Sequence, residues 1–206
     1  MVYGVFSANE WLYPDTVVSE GKQQIKLVAA RQSYACAQIL IAHPAPQITV
    51  TWQGVEGDSL SVPDVYKLHP IYVEKNTGER GFTIEQGTYA DYYTRPAPFW
   101  IYDAMEPVTD TTITCEDEFL ALYLRWPTQN VIAGIHNGAL CINDVQVPVS
   151  VNICNVTVPT TETLRLTNWY SLTNMAVYHN VEKWSEDHWN MIKKYALLMR
   201  HARQTD

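Results

Sequence analysis

The period of the apolar residues changes near residue 160, and that change most limits what the chain can fold into. Before it, short runs alternate with period two, the spacing that gives a strand one apolar face. Gln47–Gln53 (QITVTWQ) puts Ile48, Val50 and Trp52 on one face, and Phe119–Trp126 (FLALYLRW) alternates until Pro127 stops it. Gln24–Arg31 and Ser33–His43 are two more apolar runs with almost nothing between them. Gly138–Ile142 and Val145–Val158 flank Asn143-Asp144, a two-residue turn signal, so this stretch predicts a β-hairpin. Asp64–Glu74 is also β-rich, and Pro70 within it predicts an edge strand or a bulge. Short strands separated by turn signals predict a mainly β fold, a β-sandwich of two antiparallel sheets over residues 1–160. Asn76–Pro98 interrupts the series with a long, poorly periodic segment, within which Phe82–Glu85 is a candidate strand.

After residue 160 the pattern is different. Pro159–Thr163 reads as a polar linker, Leu164–Trp169 (LRLTNW) as a short strand, and Tyr170–Trp184 as a loop. Ser185 is a good N-cap, with Glu186 and Asp187 in the first turn where the helix dipole favours acids. Trp189, Ile192, Ala196 and Met199 then recur at helical spacing, with Lys193, Lys194, Arg200 and Arg203 toward the far end. The prediction is a C-terminal amphipathic helix of about 18 residues. Strand, loop and helix make one β-α unit over residues 161–206, and such a unit buries its faces only beside others. It therefore reads as the start of a truncated (β/α) barrel. The alternative is that the helix folds back over the sandwich. In the barrel reading the Trp189–Met199 face is left bare, and self-association through it is expected.

Charge narrows the partners. Lys and Arg number 14 against 22 Asp and Glu, for a net charge of −8. Such a chain has no electrostatic footprint for nucleic acid or for an anionic membrane surface. No apolar run approaches the ~18 residues of a membrane span, and the start MVYGVFSANEW lacks the basic and apolar regions of a signal peptide. A soluble protein of open compartment is expected. Cys36, Cys115, Cys141 and Cys154 are widely spaced with no C-x-x-C pair, which excludes a zinc ribbon or a thioredoxin-type motif. Cys36 and Cys154 lie in apolar runs and read as small buried hydrophobes.

Catalytic signatures are absent. With nine glycines the chain has no P-loop and no G-x-G-x-x-G, nor does it contain H-E-x-x-H or G-x-S-x-G. The six histidines are scattered and read as surface or hydrogen-bonded core residues, so neither metal nor cofactor is expected. Glu116-Asp117-Glu118 precedes a strand and reads as a solvated turn, and Asp103 reads as a residue that ties down a turn. No carboxylate pair is assigned a catalytic role. Seven Trp and thirteen Tyr remain, residues that suit both β-structure and sugar-binding faces. Trp169 and Tyr170 would lie at the carboxyl end of the barrel strand, the end that carries (β/α)-barrel active sites, with Tyr178 and His179 in the following loop. These four are the candidate substrate-binding residues, stacking on a sugar ring or bonding its hydroxyls. Trp184 and Trp189, flanking the N-cap, read as packing anchors. Tyr92-Tyr93 is a weaker aromatic pair, and the Asn155-Val156-Thr157 sequon falls inside a strand.

The order of segments resembles glycoside hydrolase family 123 and its relatives. LVAARQSYACAQILI is similar to the strand pair near the start of that family's N-terminal sandwich, and RPAPFWIYDAMEPV to its Pro-aromatic-Tyr-Asp segment. The resemblance is strongest in NWYSLTNMAVYHNVEKWSEDHWNMIKKYALLMRHARQ, which resembles the family's first barrel strand, loop and helix. The resemblance implies an N-terminal β-sandwich, a catalytic (β/α)₈ barrel and β-N-acetylgalactosaminidase activity. It also implies substrate-assisted hydrolysis, served by an adjacent Asp-Glu pair on a later barrel strand. Asp117-Glu118 has those letters but precedes the barrel segment, so the role is not carried over.

The leading expectation is therefore the non-catalytic N-terminal part of a glycoside hydrolase, inactive alone, whose partner is a glycan or amino-sugar-containing saccharide bound by the whole enzyme. One alternative is a stand-alone carbohydrate-binding module that uses exposed aromatics. Another is a purely structural sandwich for protein assembly.

Overall fold

The computed structural model describes residues 1–76, 95–159, 170–202 and 204. The chain divides into two compact units, Met1–Val158 and Pro159–Asp206.

The first unit is a β-sandwich. One sheet has the order β1 (Val2–Ser7), β3 (Tyr34–Ala42), β8 (Phe119–Pro127), β5 (Asp64–Val73), β6 (Phe99–Pro107). The other has the order β2 (Ile25–Arg31), β10 (Val145–Thr157), β9 (Gly134–Ile142), β4 (Gln47–Gly54), β7 (Thr112–Thr114). All pairings are antiparallel except one: β10 runs parallel to β2 from Val149↔Ile25 to Cys154↔Ala30. The expected sandwich of two sheets is present, and this edge pairing is its one departure from antiparallel order among the described residues. Its cause is the corner at Gln32-Ser33, where the chain leaves β2 and enters β3 in the opposite sheet instead of folding back as a hairpin. Gln32 takes a φ of 58°, and buried Thr128 clasps the corner. Its hydroxyl donates to the Ala30 carbonyl at 2.7 Å and accepts from the Ser33 N–H at 2.8 Å.

Alternation decides what is buried. In β3, Ala35, Ala37, Ile39 and Ile41 enter the core between the sheets together with Leu120, Leu122, Leu124 and Trp126 of β8. Val147, Val149, Val151 and Ile153 of β10 meet them from the opposite sheet. Trp126 packs edge-on to Trp52 at 5.7 Å, and its indole nitrogen has no hydrogen-bond partner among the described residues. Gly138 leaves room for Trp52, since a Cβ there would overlap the indole ring.

The even-numbered residues of β3 face the other way, into a second apolar cluster. Leu40, Ala42, Leu68, Tyr102 and Ala121 are covered there by Leu12 and Val18 from the β1–β2 connection. The first sheet is thus buried on both faces, which explains why β3 reads as an almost unbroken apolar run. Cys36 and Cys154 lie one residue out of phase with the inward positions and are half-buried, while Cys141 is buried.

The hairpin forms as expected. Ile142 pairs with Val145, Asn143 takes a φ of 51°, and its side chain accepts from the Thr49 N–H at 2.7 Å. Pro70 sits at a register shift between β5 and β6, beyond the Asp64–Leu68 ladder to β8, so it interrupts no central pairing. Asp103 does not tie down a turn. It lies within β6 at that irregularity, between Tyr102, paired with Pro70, and Ala104, paired with His69. Glu116, Asp117 and Glu118 are exposed before β8, a solvated turn.

The second unit contains α1 (Leu172–Tyr178) and α2 (Glu186–His201). α1 lies where the sequence predicts a continuous loop, and Ser171 caps it by accepting from the Asn174 N–H at 3.2 Å. Ser185 caps α2 through the His188 N–H, also at 3.2 Å. Buried His188 joins the two helices: its Nδ1 accepts from the Trp184 N–H and its Nε2 donates to the Leu172 carbonyl, each at 2.9 Å. Trp184 and Trp189 stack on one another at 5.5 Å but stay about half exposed, so they are weaker anchors than expected. Phe82–Glu85, Tyr92-Tyr93, the linker beyond Pro159 and the Leu164–Trp169 segment lie outside the described residues.

Candidate functional site

Of the four aromatic positions singled out in the sequence, Trp169 lies outside the described residues. Tyr170 is exposed before α1, and Tyr178 is 83% exposed at its end. His179 sits beside Tyr178, ring centroids 5.0 Å apart, but its Nε2 is engaged by the Tyr195 hydroxyl at 2.8 Å. A seven-residue helix of about 10 Å separates Tyr170 from the other two. Tyr178 and His179 are thus brought together, and Tyr170 is not brought to them.

A cavity of about 340 Å³ lies on the sandwich itself, over the outer face of the first sheet. Leu68, Gln38, Tyr123 and Tyr102 come from the strands, Ala8 to Trp11 from the β1–β2 connection, and Asp103 and Met105 from β6. The bulge in β6 makes this lining possible. In a regular strand Tyr102 and Met105, three apart, would point to opposite faces. The extra residue in register restores both to the side of Leu68, which pairs with Met105.

The connection is held rigidly over this face. Gln38, buried in β3, donates from Nε2 to the Ser7 and Glu10 carbonyls, both at 2.8 Å. The Tyr102 N–H donates to the Leu12 carbonyl at 2.9 Å. Arg95 grips Asp15 with two hydrogen bonds of 2.8 and 2.5 Å and lies over the Tyr13 ring. That guanidinium holds the Asp15 carboxyl below its usual range.

Burial, helped by the negative charge of Asp117, pushes the Tyr102 phenol up to about 12. Burial also raises the Tyr123 phenol, with its hydrogen bond to Cys36 acting the same way. Both hydroxyls are therefore protonated donors throughout the neutral range. The cavity also carries the carboxylates of Glu10 and Asp103, the amide of Asn9 and an exposed indole, Trp11. No hydrogen bond or ion pair engages the Asp103 side chain among the described residues. Sequence reading missed this site because Trp11 and Glu10 stand in a segment without periodicity. The available signal was Pro70 facing an aromatic-rich strand, which announced the bulge.

The histidines outside this cavity are mostly paired. His69 bonds Glu106 at 2.6 Å on the exposed part of β5 and β6, and His136 bonds Asp58. Among the described residues no three His, Cys, Asp or Glu side chains are grouped to hold a metal ion, and no helix is long and apolar enough to cross a membrane.

Fold and cavity together define a β-sandwich with a ligand-sized cleft on its outer layer, followed by a small helical unit. No protein-family model matches the chain. No curated protein matches it either. Among solved structures it is similar to a family 123 glycoside hydrolase from Clostridium perfringens, described for glycolipid glycan hydrolysis, with a TM-score of 0.68 and 12% identity. The match covers 91% of this chain and 34% of that one, so the chain spans about a third of that enzyme's length. At this identity the likeness is one of fold alone.

Proposed function

We propose that this chain is the non-catalytic N-terminal part of a glycoside hydrolase, an accessory sandwich (residues 1–160) followed by the first β-α segment of a catalytic barrel (residues 161–206). The observation that carries the reading is the coverage of the structural match: nearly all of this chain, but only about a third of the similar enzyme. The helical unit supports it, because α2 exposes Trp189, Leu197 and Leu198, surface that further β-α units would cover. The catalytic groups then lie in those further units, and the substrate class is a saccharide containing an amino sugar.

The test is to read the coding sequence past the codon for Asp206, express the longer product, and assay both proteins on a chromogenic N-acetyl-β-galactosaminide. The expected result is an in-frame continuation with further β-α units, hydrolysis by the long product and none by the 206-residue chain. A natural stop after Asp206, an inactive long product, or hydrolysis by the short chain would overturn the reading.

A further inference from the structure

We infer that the outer-layer cavity of the sandwich is a saccharide-binding site, formed by Trp11, Glu10, Asn9, Tyr102, Asp103 and Tyr123. The site lies wholly in the first unit and depends on no catalytic group, so the inference goes beyond the accessory role proposed above.

Three observations carry it. First, the cavity is a built feature. Its volume of about 340 Å³ is at the small end of ligand pockets and gives room for about one sugar ring. The β6 bulge brings Tyr102, Asp103 and Met105 to it together, and Gln38 fixes the connection that supplies the opposite wall. Second, its chemistry is mixed. Asp103 only accepts hydrogen bonds, as does Glu10, whose carboxylate already accepts from the Ser7 N–H at 3.2 Å, whereas the Tyr102 hydroxyl and the Asn9 amide also donate and the Tyr123 hydroxyl is engaged with Cys36. Third, Trp11 is 57% exposed although it stands between the sheet's first strand and buried Leu12, and it flanks the cavity with Met105 and Leu68 as apolar neighbours.

A ligand that matches all of this must donate and accept hydrogen bonds around its rim and present an apolar face to an indole. Sugar hydroxyls do the first, and the C–H face of a pyranose does the second. An organic cation would satisfy the carboxylates and the ring faces but would leave the donors of Asn9 and the Tyr102 phenol unmatched. An anion is excluded by the two carboxylates.

The experiment is a titration of the 206-residue chain, labelled at the indole nitrogens, with methyl glycosides of galactose, glucose, N-acetylgalactosamine and N-acetylglucosamine, and separately with tetramethylammonium. The expected result is saturable perturbation of one indole resonance by at least one glycoside, assigned to Trp11 by its loss in Trp11→Phe. Asp103→Asn should weaken binding about tenfold and Trp11→Ala by at least as much, with unfolding midpoints unchanged. Trp189→Ala, in the helical unit, should leave binding as it was. The inference is overturned by flat titrations across the four glycosides into the millimolar range. It is equally overturned by binding that survives both cavity substitutions, or by saturation with tetramethylammonium alone. Because the short chain is tested directly, none of these results depends on whether a catalytic barrel follows.

Discussion

The buried amide of Gln38 donates at 2.8 Å to the main-chain carbonyl of Glu10, a residue that lines the outer-layer cavity. The same nitrogen bonds the Ser7 carbonyl at 2.8 Å, so one strand residue fixes both ends of the segment that walls the site. Replacing Gln38 with Leu keeps the bulk and removes both bonds, leaving two carbonyls to find other partners. The expected cost is about 2 kcal/mol in urea unfolding. Faster amide exchange should appear in residues 8–12 but not in the core of β8. A stability within a few tenths of the wild type would show that the connection is held by its other anchors, the burial of Leu12 and Val18, the Tyr102 N–H bond to the Leu12 carbonyl and the Arg95–Asp15 pair.

Tyr102 makes the alkaline limb of stability informative. Its phenol is raised from 10.0 to about 12, because burial penalises the phenolate. A raised folded-state value means that the stabilisation is fully present below pH 10 and is lost as the pH climbs through 12, since the unfolded chain ionises first. The expected loss attributable to Tyr102 is at most about 3 kcal/mol over that window. Tyr3 and Tyr123 are raised too and act in the same direction. The share of Tyr102 is therefore read as the difference in slope between the wild type and Tyr102→Phe. Parallel slopes would mean that the phenol is more hydrated than its burial implies.

In the helical unit His188 contributes two hydrogen bonds that a same-sized apolar ring cannot make. Its tautomer is fixed by backbone partners: Nδ1 faces an N–H and Nε2 faces a carbonyl. His188→Phe should therefore destabilise the packing of α1 on α2 by roughly 2–3 kcal/mol. Amide exchange in 172–178 should rise while the sandwich strands keep their protection. Unchanged exchange in α1 would leave its support to the apolar contacts and the His179–Tyr195 hydrogen bond.

Much of the sandwich was legible because its signals are local. The 3.4 Å rise and two-residue repeat of a strand write themselves into QITVTWQ and FLALYLRW, and Asn143 supplies the positive φ that its turn requires. Ser185 likewise announced α2. Other features depend on contacts remote in sequence. β7 is three residues long, too short for a period, and is defined by its ladder to β4. β1 and the β1–β2 connection derive their meaning from the outer face of β3, so Trp11 and Glu10 could not be assigned to a site from their neighbours in the chain. The direction of β2 beside β10 follows from a two-residue corner whose clasp, Thr128, lies 95 residues away from Ser33. Residues 169–179 stand out in the sequence because a barrel strand would end there; Tyr178 and His179 do lie side by side, Tyr170 stands before α1, and Trp169 lies outside the described residues.

The acid limb should report on Asp58. This carboxylate sits in the β4–β5 connection, accepts from the Leu60 N–H at 3.0 Å, and faces the Nδ1 of His136 on β9. The far nitrogen of that ring donates to the Ile132 carbonyl at 2.7 Å, so the pair ties two connections to one strand. Burial alone would raise the Asp58 carboxyl, but the Leu60 and Ser59 N–H groups and the His136 ring outweigh it and hold it below its ordinary 3.8. A lowered folded-state value contributes stability above 3.8 that is lost as the pH falls through the folded-state value, because the unfolded chain takes up its proton first. Asp58→Asn removes the charge and the titration together. At neutral pH the variant should be less stable by about 2 kcal/mol, the usual range for hydrogen bonds to a charged acceptor. As the pH drops below about 4 the two stability curves should converge, since the wild type then loses what the variant never had. Denaturant midpoints measured from pH 7 to pH 2.5, roughly the span over which a carboxylate titrates, give the comparison directly. A gap between wild type and variant that stays constant across the whole range would mean that the hydrogen bonds, and not the charge of Asp58, hold the connection to β9.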